Sequence, residues 1–173
     1  TQCWVDMRGM ADAYMKGKGI DYFENSRRAT YAQQGYAAAN PEGWAGYGRD
    51  LWGVTACDGP GDVTRPFNGK QRRFIGYAGR GMGGAASYDD GTIAPYAAGA
   101  SIAFAPEIVL PALAAMYERY GRAIYGRYGF YAFNQSFTFT DVRLTNGQLV
   151  PGLGWVDTDY LGIELGPLLA MIA

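Results

Sequence analysis

Several carboxylates in this chain stand beside aromatic rings and glycine turns instead of on charged helix faces. They are Asp21 and Glu24, then Asp58 within Trp52-Gly53-Val54-Thr55-Ala56-Cys57-Asp58-Gly59-Pro60, then Asp89 and Asp90, and finally Asp157 and Asp159 in Gly154-Trp155-Val156-Asp157-Thr158-Asp159-Tyr160. Cleavage of a glycoside needs one carboxylic acid to protonate the leaving oxygen and one carboxylate to activate water or attack the sugar. Aromatic rings beside such acids suit the apolar faces of glucose, while Arg, Asn and Asp side chains bind its hydroxyls. The competing explanation is local: Asp in Asp-Gly sequences is often a turn former or an N-cap, and Asp90 before Gly91-Thr92 fits that role nearly as well. The sequence contains no histidine. This removes Ser-His-Asp and Cys-His nucleophile systems, imidazole zinc sites and HExxH proteases, and leaves carboxylates to supply most acid and base chemistry.

Charge and cysteine content narrow the classes further. Fifteen basic against sixteen acidic residues give a formal charge of −1, without the excess of clustered Lys and Arg that a nucleic-acid or polybasic membrane binder needs. Cys3 and Cys57 are the only cysteines; a disulfide between them is allowed but not demanded, and two small buried thiols fit equally. Gly79-Arg80-Gly81-Met82-Gly83-Gly84 matches GxGxxG in form, but Ser87, Asp89, Asp90 and Gly91 follow where a dinucleotide fold requires a helix. In a chain with 26 glycines the match is expected by chance. No metal or organic cofactor is implied. The most apolar stretch, 97–116, is broken by Pro106, Glu107 and Pro111 and does not read as a membrane span. No signal peptide is visible after Thr1, though a processed N-terminus would look the same.

The elements that must hold these acids read mainly as helices. Apolar spacing predicts a short helix over 9–16, and Asn25 or Ser26 can cap a second running to Ala39, where Asn40-Pro41 ends it. The stretch 59–91 carries nine glycines with little periodicity and reads as irregular, ordered loop. Thr92 can cap a buried helix over 97–104, followed by another from Pro106 to Gly121 that Pro111 kinks; the two form an α-hairpin. The series Tyr117, Tyr120, Tyr125, Tyr128, Tyr131 reads as core. Val142-Arg143-Leu144 and Gln148-Leu149-Val150 flank Thr145-Asn146-Gly147, predicting a small β-hairpin near 142–150. Gly166-Pro167 opens a last helix.

Five separated motifs carry a resemblance along nearly the whole chain: Gly19 to Thr30, Trp52 to Pro60, Asp90 to Tyr96, Tyr128-Gly129-Phe130, and Gly154 to Ile163 with Gly166-Pro167. Together they resemble the glucoamylase-like domain family of bacterial endo-β-1,2-glucanases and cyclic β-1,2-glucan synthases. The resemblance implies a mainly α fold, part of an α/α toroid of six helical hairpins with long Gly- and aromatic-rich loops. It also implies a central substrate cleft and hydrolysis through paired acids, typically by inversion in the endo-glucanases, in a periplasmic or secreted protein. Twelve helices with ordinary loops need well over ~200 residues. Residues 1–173 are thus expected to be the C-terminal half of one domain, with the missing N-terminal half as structural partner. The segment 137–153 is longer than the turn expected there and is read as an insertion edging the cleft. Matched residue by residue, Asp58, Asp90, Asp157 and Asp159 are the expected catalytic acids, and Tyr22, Arg27, Trp52 and Trp155 the expected glucose-binding residues. The expected activity is a β-glucan hydrolase, foremost an endo-β-1,2-glucanase, on an oligo- or polysaccharide. The alternative is a non-catalytic carbohydrate-binding or assembly module.

Overall fold

The computed structural model describes residues 2–82 and 87–173. Helix α1 (Ala13–Gly17) is one turn capped by Asp12. Helix α2 (Tyr22–Ala39) starts earlier than the capping residues Asn25 and Ser26 suggested, because Asp21 accepts from the Glu24 N–H at 2.7 Å and takes the N-cap. It ends at Asn40, whose left-handed backbone and side-chain bonds to both the N–H and C=O of Trp44 turn the chain inward. Helix α3 (Pro95–Gly99) is capped by Ala94 without a side-chain bond. Thr92 does not cap it, since its hydroxyl donates to Asp90. Helix α4 (Pro106–Tyr120) runs through Pro111 with Glu107 in its first turn, and α5 (Gly162–Ile172) begins four residues before the expected Gly166-Pro167 start.

The expectation of a mainly α toroid fails. Among the described residues, helices account for 34% and extended residues for a further 16%, with the strands in three small sheets. The 59–91 stretch, expected to be irregular, contains an antiparallel hairpin of β1 (Val63–Phe67) and β2 (Lys70–Phe74). Its two-residue turn, Asn68-Gly69, has positive φ at both positions, which matches the twist of the paired strands. Two-residue strands β3 (Tyr125–Gly126) and β4 (Gly129–Phe130) form a second hairpin. The third sheet has the order β5-β7-β6: β5 (Phe133–Asn134) and β6 (Gln148–Val150) both pair antiparallel with β7 (Gly154–Val156). Val142 to Leu144 form no strand, so the predicted hairpin across Asn146-Gly147 is replaced by one across 151–153. The reason is competition: the Thr145 N–H bonds to Pro60 O at 2.9 Å and the Trp155 indole bonds to Asn146 O at 2.7 Å, pinning this segment to its neighbours.

The core joins the third sheet to α3 and α4. Trp52, Ile93, Phe133, Phe137, Trp155, Val109 and Met116 are all buried there. Ile93 exchanges two backbone bonds with Phe133, and Ala94 N donates to Gly53 O, so the loops before α3 lie along the sheet edge. Gly53, with φ +138, leaves no room for a side chain against Ala94 O. Tyr117, Tyr125 and Tyr128, expected in the core, are more than two-fifths exposed. The two thiols are free, Cys57 buried and Cys3 partly so.

Candidate active site

Asp58 and the sequence-remote pair Asp157 and Asp159 meet at one amide. Asn146 Nδ2 lies 2.9 Å from Asp157 Oδ1, 3.0 Å from Asp159 Oδ2 and 3.5 Å from Asp58 Oδ2. Asp157 follows β7 directly, and its N–H bonds to Ala132 O at 2.9 Å, so the sheet fixes its backbone. The Thr158 and Asp159 N–H groups fold back onto Asp157 Oδ1 at 2.8 and 3.2 Å, an Asx-turn that aims the next acid outward. Asp58 arrives on a separate loop anchored by the two backbone bonds between Cys57 and Ala78. Asp157 is buried, Asp58 half-buried and Asp159 exposed, so the cluster runs from the core to the surface.

Burial raises the Asp157 carboxyl to about 6, with the charges of Asp58 and Asp159 adding to it against the two backbone N–H groups. Burial also raises Asp58, with Asp159 adding and the Asn146 amide and Arg80 opposing. A fourth acid, Glu164 in the first turn of α5, is pushed up to about 7 by burial and by Asp58 and Asp157. Its Oε1 and the Tyr96 hydroxyl face each other in the interior, without a hydrogen bond of ordinary geometry at either atom. Glu164 and Tyr96 line a cavity of about 190 Å³ together with Thr55, Tyr77 and Ile163. A larger cavity, about 550 Å³, runs along 149–154 and Thr138. It holds no ionisable side chain and is therefore not where acid and base chemistry can occur.

The other sequence candidates lie elsewhere. Asp90 is fully buried: Arg80 grips it through Nε and Nη2 at 2.8 and 2.9 Å, and the Thr92 N–H and hydroxyl and the Tyr88 hydroxyl complete its shell. Its lone pairs are spent on the interior. Trp52 and Trp155 are also buried, at 1% and 0% exposure, and present no ring face to a sugar. Tyr22 starts α2, and Arg27 ties α2 to α4 through Phe104 O and Glu107, both at 2.6 Å, away from the acid cluster. Asp21 caps α2, and Asp89 accepts from the Tyr36 and Tyr47 hydroxyls. Of the GxGxxG match, Gly83 and Gly84 lie outside the described residues, while Arg80 belongs to the core ion pair. Among the described residues no group of three His, Cys, Asp or Glu side chains is arranged to hold a metal ion.

Asn146, Glu164, Tyr96 and Arg80 were not singled out from the sequence. An acid inside the apolar run Gly162-Ile163-Glu164-Leu165 was the available signal for Glu164.

These features fall within a known protein class. The profile of the Glycoamylase family, described as "Putative glucoamylase", matches residues 1–173, and the chain belongs to that family. It is 28% identical over 155 residues to the exo β-1,2-glucooligosaccharide sophorohydrolase (non-reducing end) of Parabacteroides distasonis, covering 90% of this chain and 17% of that protein. Its fold matches a β-1,2-glucanase structure from Parabacteroides distasonis with a TM-score of 0.71 at 28% identity, over 99% of this chain and 19% of that one. An endo-β-1,2-glucanase from Chitinophaga pinensis, solved with sophorotriose and glucose, matches at a TM-score of 0.62 and 28% identity, over 87% and 29%. The chain thus spans about a sixth of the curated relative's length. No helix among the described residues is long and apolar enough to cross a membrane.

Proposed function

We propose that this chain forms one catalytic wall of a glycoside hydrolase acting on β-1,2-linked glucan, with Asp157 as the base that activates water. The observation that carries this reading is the convergence of Asp58, Asp157 and Asp159 on Asn146, and the β-1,2-glucan hydrolases among the chain's relatives support it. A base with a carboxyl at about 6 is ionised at neutral pH yet still able to take a proton as water attacks. Asp58 and Asp159 hold that water and orient the sugar hydroxyls.

The proton for the leaving oxygen comes from elsewhere. An inverting hydrolase places its two carboxyls roughly 6.5–9.5 Å apart, leaving room for water and the sugar. Two oxygens bonded to one amide nitrogen are closer than that, so Asp157 and Asp159 act on the same side of the scissile bond. For the inverting course that the family resemblance implies, the donor is a carboxyl across the cleft, from outside this pair. A polysaccharide substrate suits the periplasmic or secreted setting that the resemblance implies.

Reducing-sugar release from a panel of glucans by the full-length protein tests this. β-1,2-Glucan is the expected substrate, and Asp157→Asn lowers the rate by about 10³-fold or more, within the range of general-base contributions. Undiminished hydrolysis by the variant removes Asp157 from the mechanism. Binding of glucan without cleavage by the wild type would instead establish a carbohydrate-binding module.

A further inference from the structure

We propose that Asn146 is the positioning residue of the acidic cluster, its amide locking Asp157 in the orientation that leaves one carboxylate oxygen available to accept the proton from water. The inference rests on the reading of Asp157 as the base. An amide nitrogen carries two hydrogens. Here they meet Asp157 and Asp159 at 2.9 and 3.0 Å, with Asp58 held at the limit of the same nitrogen's reach. Asp157 Oδ1 consequently receives three donors, from Asn146, Thr158 N and Asp159 N. Among the described residues no hydrogen bond reaches Asp157 Oδ2, which is the atom left for chemistry.

The amide is itself held from behind. Asn146 Oδ1 accepts from Gly147 N at 2.6 Å and from the Thr158 hydroxyl at 3.2 Å, which fixes which end of the amide faces the acids. Its backbone carbonyl accepts from the Trp155 indole. Gly147, at φ +73, has no space for a Cβ against Val156 O and the Trp155 ring. The segment 138–147 therefore delivers one side chain to a set place, and this backbone anchoring survives truncation of the side chain.

The charged and titratable groups around the cluster come from several elements. Asp157 faces Asp58, Asp159 and Glu164, and the phenols of Tyr96 and Tyr131. Asp58 faces Asp159, Glu164 and Arg80, the last already paired with Asp90. In this predominantly acidic setting, a neutral amide can gather carboxylates without neutralising them, as a lysine could not.

The experiment uses the full-length protein with Asn146→Ala and Asn146→Gln. Carboxyl ¹³C NMR follows the aspartate titrations, and kcat and KM on β-1,2-glucan are measured across pH. Loss of the amide raises the carboxyl midpoints of the cluster, moves the acid limb of kcat with them, and lowers kcat by about 10- to 100-fold, with KM changed less than about threefold. Asn146→Gln, which keeps the amide on a longer arm, recovers part of each change, and it carries the test should Asn146→Ala fail to fold. Unmoved carboxyl midpoints, or moved midpoints with full kcat, overturn the proposal. If the midpoints move but the wild type itself cleaves no glucan, the amide's hold on the acids stands and the hydrolase reading falls.

Discussion

A buried carboxyl with too few partners costs stability once it must be charged, and Glu164, with the Tyr96 hydroxyl facing it, is in that position. Among the described residues its Oε1 lacks a hydrogen bond of ordinary geometry, and burial holds its carboxyl at about 7 against an ordinary 4.5. The sign follows from proton linkage. Below about pH 4 both folded and unfolded chains hold the proton, and there is no penalty. As pH rises the unfolded chain releases its proton first and gains stability relative to the fold, until the folded carboxyl also ionises near 7. Replacing Glu164 by Gln removes this penalty while keeping the shape. Glu164→Gln should therefore raise the melting temperature above about pH 7, by the equivalent of about 1–3 kcal/mol after allowing for partial solvation, and leave it unchanged near pH 4. Thermal unfolding across this pH range checks the prediction; a gain of equal size at every pH would show that packing, not ionisation, is responsible. At this scale the sequence was partly legible. Asp58, Asp157 and Asp159 declared themselves through glycine turns and aromatic neighbours, whereas the importance of Glu164 depends on α5 starting early enough to turn it inward.

Arg80 and Asp90 bind elements together. Beyond its two bonds to Asp90, the Arg80 guanidinium donates to the carbonyls of Cys57, Ile75, Gly76 and Ala78, joining the end of the β1–β2 hairpin to the loop that carries Asp58. Gly59 has no room for a Cβ against that guanidinium. From the other side, Asn134 of β5 donates to Asp90 O and the Thr92 hydroxyl, and β5 pairs with β7, which leads to Asp157. One interior ion pair thus connects the two backbones that bring the acids together. Asp90→Asn leaves the guanidinium charge buried and uncompensated, and should cost about 3–5 kcal/mol. Chemical denaturation should show that loss, with kcat near wild type while the protein remains folded; a catalytic acid would give the reverse, full stability with kcat abolished. The hairpin itself was open to sequence reading through Asn68-Gly69, but the glycine density around it masked the strands. The opposite error arose at Asn146-Gly147. An Asn-Gly pair predicts a turn only when its flanking residues have no better partners, and here Pro60 and Trp155 outcompete strand pairing.

Across the whole molecule, the near balance of 15 basic and 16 acidic residues conceals an uneven distribution. Asp58, Asp157, Asp159 and Glu164 gather in one place, and the nearby Arg80 is already committed to Asp90. Composition excluded a polyanion-binding surface but gave no sign of this local excess, because it is created by tertiary contacts between residues about 100 positions apart. The fold class was misread at this scale as well: the family resemblance implied a mainly α toroid, while glycines and aromatics between 121 and 156 closed into short strands. The charge distribution makes a prediction for salt. Raising ionic strength from about 0.01 to about 0.5 M shortens the screening length from roughly 30 Å to under 10 Å, weakening the repulsion exerted by the exposed Asp159 but little that among the buried members. Screening should lower the carboxyl midpoints, so the acid limb of the pH–rate profile for glucan hydrolysis should move to lower pH by less than about half a unit. Glucan carries no charge, so KM should stay within about twofold, in contrast to the losses of several orders of magnitude seen when a protein must neutralise a polyanion. Initial rates at the two salt concentrations, across pH, measure both quantities. A large salt dependence of KM would identify an anionic substrate, whereas a limb that moves upward would mean that cationic side chains, not these carboxylates, set the field around the attacking water.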